Sequence, residues 1–329
     1  MFFAKVMLFG EYSLMAGSQA LTIPYKAFSG ALAFPAGLSE KDKAMAKASN
    51  KQLRSFFLFL SDGPKANNPH AGKLSLERFE KDLENGIYFR STIPSGYGLG
   101  SSGALVAAVF SRYSYSKQSG DQFRSVSGGL DEPMRMMLQP DWRDLKSLLA
   151  GMESFFHGTS SGIDPLSCLA GSPLLLEPEG EVRIAELNDF PSDFPGGFFL
   201  LDTSTTGKTG PLVQAFLQKY QEPDFRDLMD RQYAPLVNAC IASLLRNNGR
   251  ELLSLISEVS AFQRAHFMPM IPEHMKVVWD QGLETGDYYL KLCGSGGGGY
   301  LLGFTGDLQQ AVEKLRLHKL QPLETGSPD

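Results

Sequence analysis

Lys5 lies inside an apolar run, "FFAKVMLFGEY", that otherwise reads as a buried strand. An unpaired buried ammonium is costly, so this amine is expected to meet a carboxylate, to line a polar cleft, or to reach water along a strand edge. Two carboxylates stand out elsewhere, Glu153 and Asp164, in "GMESFFHGTSSGID" from Gly151 to Asp164. Glu153 falls near the end of a predicted helix and Asp164 follows a turn of Gly and Ser, so the two can converge from different elements. Near a phosphate, one could ligate Mg²⁺ while the other accepts a proton from an attacking hydroxyl. Taken singly, Glu153 also reads as a solvated helix residue and Asp164 as a turn or N-cap residue. His157 sits in the last helical turn, where it suits the helix dipole, and is read as structural.

A phosphate site is suggested by "IPSGYGLGSSGALVAAV", Ile93 to Val109, which turns from glycines and serines to an apolar helix. Gly96, Gly98 and Gly100 allow positive φ and close backbone approach, and Ser101 and Ser102 stand where the helix begins. The first N–H groups of a helix lack internal partners and carry partial positive charge, so an anion fits there without a lysine cluster. A serine-capped glycine turn with no ligand explains the same residues. The loop is not a Walker A motif, because no Gly-Lys-Ser/Thr ends it. A second cluster, "GSGGGG" from Gly294 to Gly299, has more glycine than a hairpin needs. It is either a wide bulged turn or backbone packed against a ligand or against the other loop.

The elements that must position these residues follow from the pattern of apolar residues. "FFAKVMLFGEY" and "MAGSQALTIPY" read as strand, loop, strand, and "SGALAF" and "SFFLFL" as further strands. "PAGLSEKDKAMAKASNKQ" is a solvated helix or a surface segment. "DWRDLKSLLAGMESFFHG" carries Leu145, Leu148, Leu149, Met152 and Phe156 on one helical stripe, with Pro140 and Asp141 at its start and Gly158 past its end. "SPLLLEPEGEVRIAEL" reads as a hairpin and "GGFFLLDTSTTGKTGPLVQAFLQKY" as strand, polar loop, helix. Two amphipathic helices follow, and the end reads as strand, glycine turn, strand, helix. Strands and helices mix without strict alternation, which favours α+β.

With 329 residues, 43% of them hydrophobic, the chain can bury a large core in two lobes. Its formal charge of −5 comes from interspersed acids and bases, so nothing marks a nucleic-acid or membrane surface. Cys168, Cys240 and Cys293 are too few and scattered for a disulfide framework or a zinc site, and a cytoplasmic location is expected. The apolar start is shorter than a bilayer span and is not built like a signal peptide.

In this order and at these separations, the motifs resemble those of the GHMP kinase superfamily. "PSGYGLGSSGA", Pro94 to Ala104, is similar to its phosphate loop, "KVMLFGEYSLMAG" to its first motif and "KLCGSGGGGYLLGF" to its third. "ESFFHGTSSGID" resembles the mevalonate kinase branch most closely, although Ser160 stands where that branch has proline and Tyr12 where it has histidine. Tyr12 is more typical of some phosphomevalonate kinases, which makes phosphomevalonate an alternative acceptor and a sugar a second. A nucleotide- or metabolite-binding module without catalysis is the alternative of a different class.

The resemblance implies a fold with an N-terminal lobe like ribosomal protein S5 domain 2, residues 1–180, and a ferredoxin-like C-terminal lobe, residues 181–329. It implies ATP and Mg²⁺ as cofactors, a small-molecule acceptor, and a monomer or homodimer. By the same resemblance Asp164 is the catalytic base and Lys5 its cationic partner, and Ser102 and Glu153 are the Mg²⁺ ligands. Pro94, Gly96, Gly98, Leu99, Gly100, Ser101, Ser102 and Gly103 hold the ATP phosphates. Glu11, Tyr12, Ser161, Gly162, Thr209, Gly296 and Gly297 form the acceptor side.

Overall fold

A computed structural model describes residues 1–62, 73–114, 142–191, 193–207 and 209–324. Pro140 and Asp141, the expected helix start, lie outside the described residues. The chain divides into two compact units built from interleaved segments. The first comprises Met1–Lys5, Pro24–Ile93 and Gly100–Gly171, and the second Val6–Ile23, Pro94–Leu99 and Ser172–Asp329.

Strand β1 (Phe2–Phe9) is rich in aromatic and branched residues, and its last six positions are all buried. Strand β2 (Ala20–Ala33) is one long strand that takes in "SGALAF". Within the first unit its far end pairs antiparallel with β3 (Tyr88–Ser91), from Gly30 opposite Ser91 to Ala33 opposite Tyr88. The expected strand "SFFLFL" is instead the last part of helix α1 (Glu40–Ser61), which Ser39 caps by accepting from the Asp42 N–H. The reason is periodicity: Leu53, Phe56 and Leu60 are buried at helical spacing. Phe57 finds a separate partner in Phe79 on α2 (Leu76–Glu84), so a dense apolar run is absorbed by more than one helical face.

The first unit's centre is the packing of α3 (Ser101–Tyr113), α4 (Trp142–His157) and α5 (Ile163–Ala170). From Gly103 to Val109 every residue of α3 is buried, and most are Gly, Ala or Val, which lets α5 come close. A Cβ on Gly103 would stand 2.7 Å from the carbonyl carbon of Asp164 and 2.8 Å from the Pro165 nitrogen. No side chain fits between these helices at that point.

In the second unit the start of β2 pairs with β4 (Leu174–Leu176), and β4 with β5 (Val182–Ile184), which is the expected hairpin. A four-stranded antiparallel sheet runs β7 (Tyr289–Leu292), β8 (Tyr300–Thr305), β6 (Gly197–Asp202), β9 (Leu320–Leu323). Helices α6 (Thr209–Lys219), α7 (Pro223–Leu228), α8 (Ala234–Leu245), α9 (Gly249–His266) and α10 (Lys276–Thr285) lie between β6 and β7 in sequence. Helix α11 (Leu308–Lys314) lies between β8 and β9. A β–α–β–β–α–β chain order with that strand order is ferredoxin-like. Phe198 and Phe304 meet at 4.6 Å on one face of this sheet, and α9 packs against α8, β7 and β8. The fold is α+β, as expected.

Gly103→Ala tests the close approach. Alanine is the better helix former, by about 1 kcal/mol, yet overpacking against Asp164 and Pro165 should lower stability by about 1–3 kcal/mol in urea denaturation. An alanine variant as stable as the parent would show that parting the helices costs no more than the gain in helix propensity.

Candidate active site

The first unit gathers Lys5, Ser102, Glu153, Ser160 and Asp164. Lys5 is 2% exposed and comes from β1. Its Nζ lies 2.9 Å from Oδ1 of Asp164 in the first turn of α5. Among the expectations for Lys5, the carboxylate partner is the one the structure supplies. The ion pair is asymmetric: the lysine side chain is 3% exposed and the aspartate 32%, so the carboxylate keeps a face open while the amine is held from behind. Gly100, at φ 72, precedes α3, and a Cβ there would stand 2.9 Å from Lys5 Cγ. The bare backbone at Gly100 therefore makes room for the lysine stem.

Glu153, on α4, is 4% exposed. Its Oε1 accepts from Ser102 Oγ at 2.9 Å and its Oε2 from Ser160 Oγ at 2.5 Å. Burial, reinforced by the nearby charge of Asp164, pushes its carboxyl up to about 7, while the two serine hydroxyls and Lys5 oppose that rise. Glu153 is thus no solvated helix residue but a sequestered acid beside a second carboxylate. Gly162 stands at φ 73 before α5, where a Cβ would stand 2.2 Å from the Lys146 carbonyl oxygen and 3.0 Å from Ala150 Cβ of α4, so the turn that delivers Asp164 has room for glycine alone. Ser161 is exposed, and its Oγ accepts from the Ile163 N–H at 3.4 Å. At the start of α3 the first intrahelical bond runs from the Ala104 N–H to the Gly100 carbonyl. Ser101, Ser102 and Gly103 occupy the turn before it, where a helix presents partial positive charge.

The other expected residues belong to the second unit. Segments 94–99, 203–207 and 293–299 meet there backbone to backbone. A Cβ on Gly98 would stand 2.5 Å from the Cys293 carbonyl oxygen, and one on Gly207 2.5 Å from that of Gly296. Gly299 abuts Tyr97, and the Gly207 N–H donates to the Gly96 carbonyl at 3.0 Å. Thr203 Oγ1 donates to the Gly299 carbonyl at 2.7 Å, and a His274 ring nitrogen meets the Thr203 carbonyl at 2.8 Å. Within Gly294–Gly299, Gly294, Gly298 and Gly299 pack against the other loops, whereas Gly296 faces Met270 and Gly297 faces Leu212. Pro94 is partly exposed and Leu99 is buried in this unit. Thr209 opens α6, and its side chain, like that of His157, lies outside the described residues.

Glu11 is sealed. Its Oε2 lies 2.8 Å from Lys291 Nζ, with side-chain exposures of 3% and 2%, and its Oε1 accepts from the Gly294 N–H at 3.3 Å. Lys291 also donates to the Leu292 carbonyl at 2.7 Å and lies 5.8 Å from the Phe9 ring centre. Tyr12 is 7% exposed and packs against Phe216 at 4.4 Å and Phe267 at 5.5 Å. Its hydroxyl donates to the Ser295 carbonyl at 2.8 Å, and burial, then Glu11, raises its phenol. Lys291 and the Ser160 hydroxyl are not among the site residues expected from sequence. The signal for Lys291 was available, since a lysine within "YYLKLCG" is as anomalous as Lys5 within "FFAKVML".

The pH dependence of metal-free protein reports on Glu153. Its folded pKa is raised, so between about 4.5 and about 7 the folded chain keeps a proton that the unfolded chain has released, and stability falls as pH rises through that window. Denaturant midpoints at pH 5 and pH 7.5 should therefore fall further for the parent than for Glu153→Gln. Equal falls would show that Glu153 ionises as freely in the folded chain as in the unfolded one.

Neither a protein-family model nor a curated protein sequence matches the chain. Solved structures do. The mevalonate kinase of L. major, in complex with R-mevalonate, matches with a TM-score of 0.61 at 17% identity, over 99% of this chain and 96% of that one. Phosphomevalonate kinase of Streptococcus pneumoniae, with phosphomevalonate and AMPPNP, matches with 0.56 at 13%, over 98% of both chains. Galactokinase of Lactococcus lactis, complexed with galactose, matches with 0.59 at 11%, over 99% of this chain and 92% of that one. These likenesses run nearly end to end, and the chain has the GHMP kinase fold.

Proposed function

We propose that this chain is an ATP-dependent small-molecule kinase that phosphorylates mevalonate to 5-phosphomevalonate, a step toward isoprenoid precursors. The observation that carries the reading is the Lys5–Asp164 pair at 2.9 Å, in the same unit as the Ser102–Glu153 contact and the start of α3. The fold shared with a mevalonate kinase solved with R-mevalonate supports it by analogy. On this reading residues 1–180 serve as the N-terminal lobe and 181–329 as the C-terminal lobe. The three cysteines are buried, and so few of them suits a cytoplasmic enzyme.

Phosphoryl transfer asks the protein mainly to position reactants and to neutralise charge. Asp164 accepts the proton of the acceptor hydroxyl through its open face. Lys5, sealed behind it, orients that carboxylate and offsets negative charge on the reacting oxygen. Backbone N–H groups at Ser101, Ser102 and Gly103 receive phosphate oxygens at the helix start. Ser161 and Gly162, in the turn before Asp164, contact the acceptor.

The donors at Ser102 and Glu153 fit Mg²⁺. They are all oxygen, and the glutamate is buried beside a second carboxylate, an excess of negative charge that a cation would relieve. Such an ion takes one or two carboxylates and completes its shell with phosphate and water. Held by Ser102 and Glu153, it would neutralise charge on the triphosphate.

A screen of mevalonate, phosphomevalonate and galactose with ATP and Mg²⁺, read by coupled ADP release, tests the acceptor. Turnover with mevalonate is expected, and turnover only with one of the others would reassign the substrate. Asp164→Asn should lower kcat by about 10²–10⁴-fold while nucleotide binding is preserved. Near-parental turnover in that variant would remove Asp164 as the base, and a parent that binds ATP but turns over no acceptor would indicate a binding module.

A further inference from the structure

Glu153 is gripped at both carboxylate oxygens, by hydroxyls from different elements. Ser102, at the start of α3, holds Oε1 at 2.9 Å, and Ser160, in the turn before α5, holds Oε2 at 2.5 Å. The Ser160 oxygen also accepts from the Gly162 N–H at 3.0 Å. A hydroxyl has one proton, and this second bond occupies a lone pair while the proton goes to Glu153. Gly162 is the left-handed residue before the helix that carries Asp164 in its first turn. One hydroxyl therefore ties the Glu153 carboxylate to the turn that delivers Asp164.

A glutamate side chain has three rotatable bonds, and its carboxylate plane is the least restrained of them. Ser102 alone would anchor one oxygen and leave the plane free to swing about that contact. With Ser160 on the other oxygen the plane is determined. Partners that orient a ligating carboxylate commonly matter to metal affinity by about 10–100-fold, although they do not touch the ion.

We propose that Ser160 is a positioning residue for divalent-cation binding: its hydroxyl fixes the Glu153 carboxylate, so that the cation accompanying the nucleotide meets a preset ligand. This rests on the kinase reading above. A serine serving the turn alone would need only to accept from the Gly162 N–H, and its loss would then affect stability without touching cation affinity.

The test is Mn²⁺ binding in the presence of a non-hydrolysable ATP analogue, followed by the electron paramagnetic resonance of free Mn²⁺. Ser160→Ala should weaken Mn²⁺ binding about 10-fold, and Ser160→Thr, which keeps the hydroxyl, should stay within about 2-fold of the parent. Melting temperatures of the metal-free variants report the turn separately. Parental Mn²⁺ affinity in Ser160→Ala, or equal weakening in both variants, would overturn the proposal while leaving the kinase reading intact. A parent protein that binds no Mn²⁺ with the nucleotide would overturn both.

Discussion

The constraint on which the rest of the structure depends is the approach of one backbone to another with no side chain between them. In the first unit Gly103 lets α3 touch the turn of Asp164 and Pro165, and Gly162 presses against α4 at Lys146 and Ala150. In the second, Gly98, Gly207 and Gly299 bring three loop segments into direct contact. Each such contact replaces a flexible side-chain interface with a nearly incompressible one, so position is transmitted across it with little slack. Asp164 and Glu153 are held in place because the backbones around them approach without a side chain between.

Among the described residues two lysines, Lys5 and Lys291, are buried inside strands, and the contrast between them separates chemistry from architecture. Lys5 faces a carboxylate that is 32% exposed, whereas Lys291 faces one that is 3% exposed. A pair sealed on both sides adds little net stability, because desolvation offsets its attraction. Removing one member alone leaves an uncompensated buried charge, at about 3–5 kcal/mol. Glu11 and Lys291 thus fix the register of the glycine loop through Gly294 and Leu292. Lys5 is the one whose partner remains reachable.

Much of the arrangement was legible from residue types. The anomaly of Lys5, the serines ahead of an apolar helix and the two carboxylates at the ends of "ESFFHGTSSGID" all fall within one unit. "SFFLFL" is helical and not the expected strand: a short apolar run has no period of its own, and only the partners of Phe56 and Phe57 show which faces are covered. Glu11 and Tyr12, expected on the acceptor side, are engaged by Lys291, Gly294 and Ser295. Their partners lie more than 270 residues away in sequence, and no local pattern reports a contact at that range.

The sequence by itself determined which groups could do chemistry and in what order they occur along the chain: an amine in a strand, hydroxyls at a helix start, carboxylates flanking a glycine turn. These follow from local chemistry, since propensity, capping and the cost of burying charge are properties of short segments. Only the tertiary structure decided which lysine meets an open carboxylate, that Glu153 is buried and held by two serines, and that the second glycine cluster packs against the other loops. Those outcomes depend on which distant backbones are bare enough to touch, a property of pairs of segments rather than of either one.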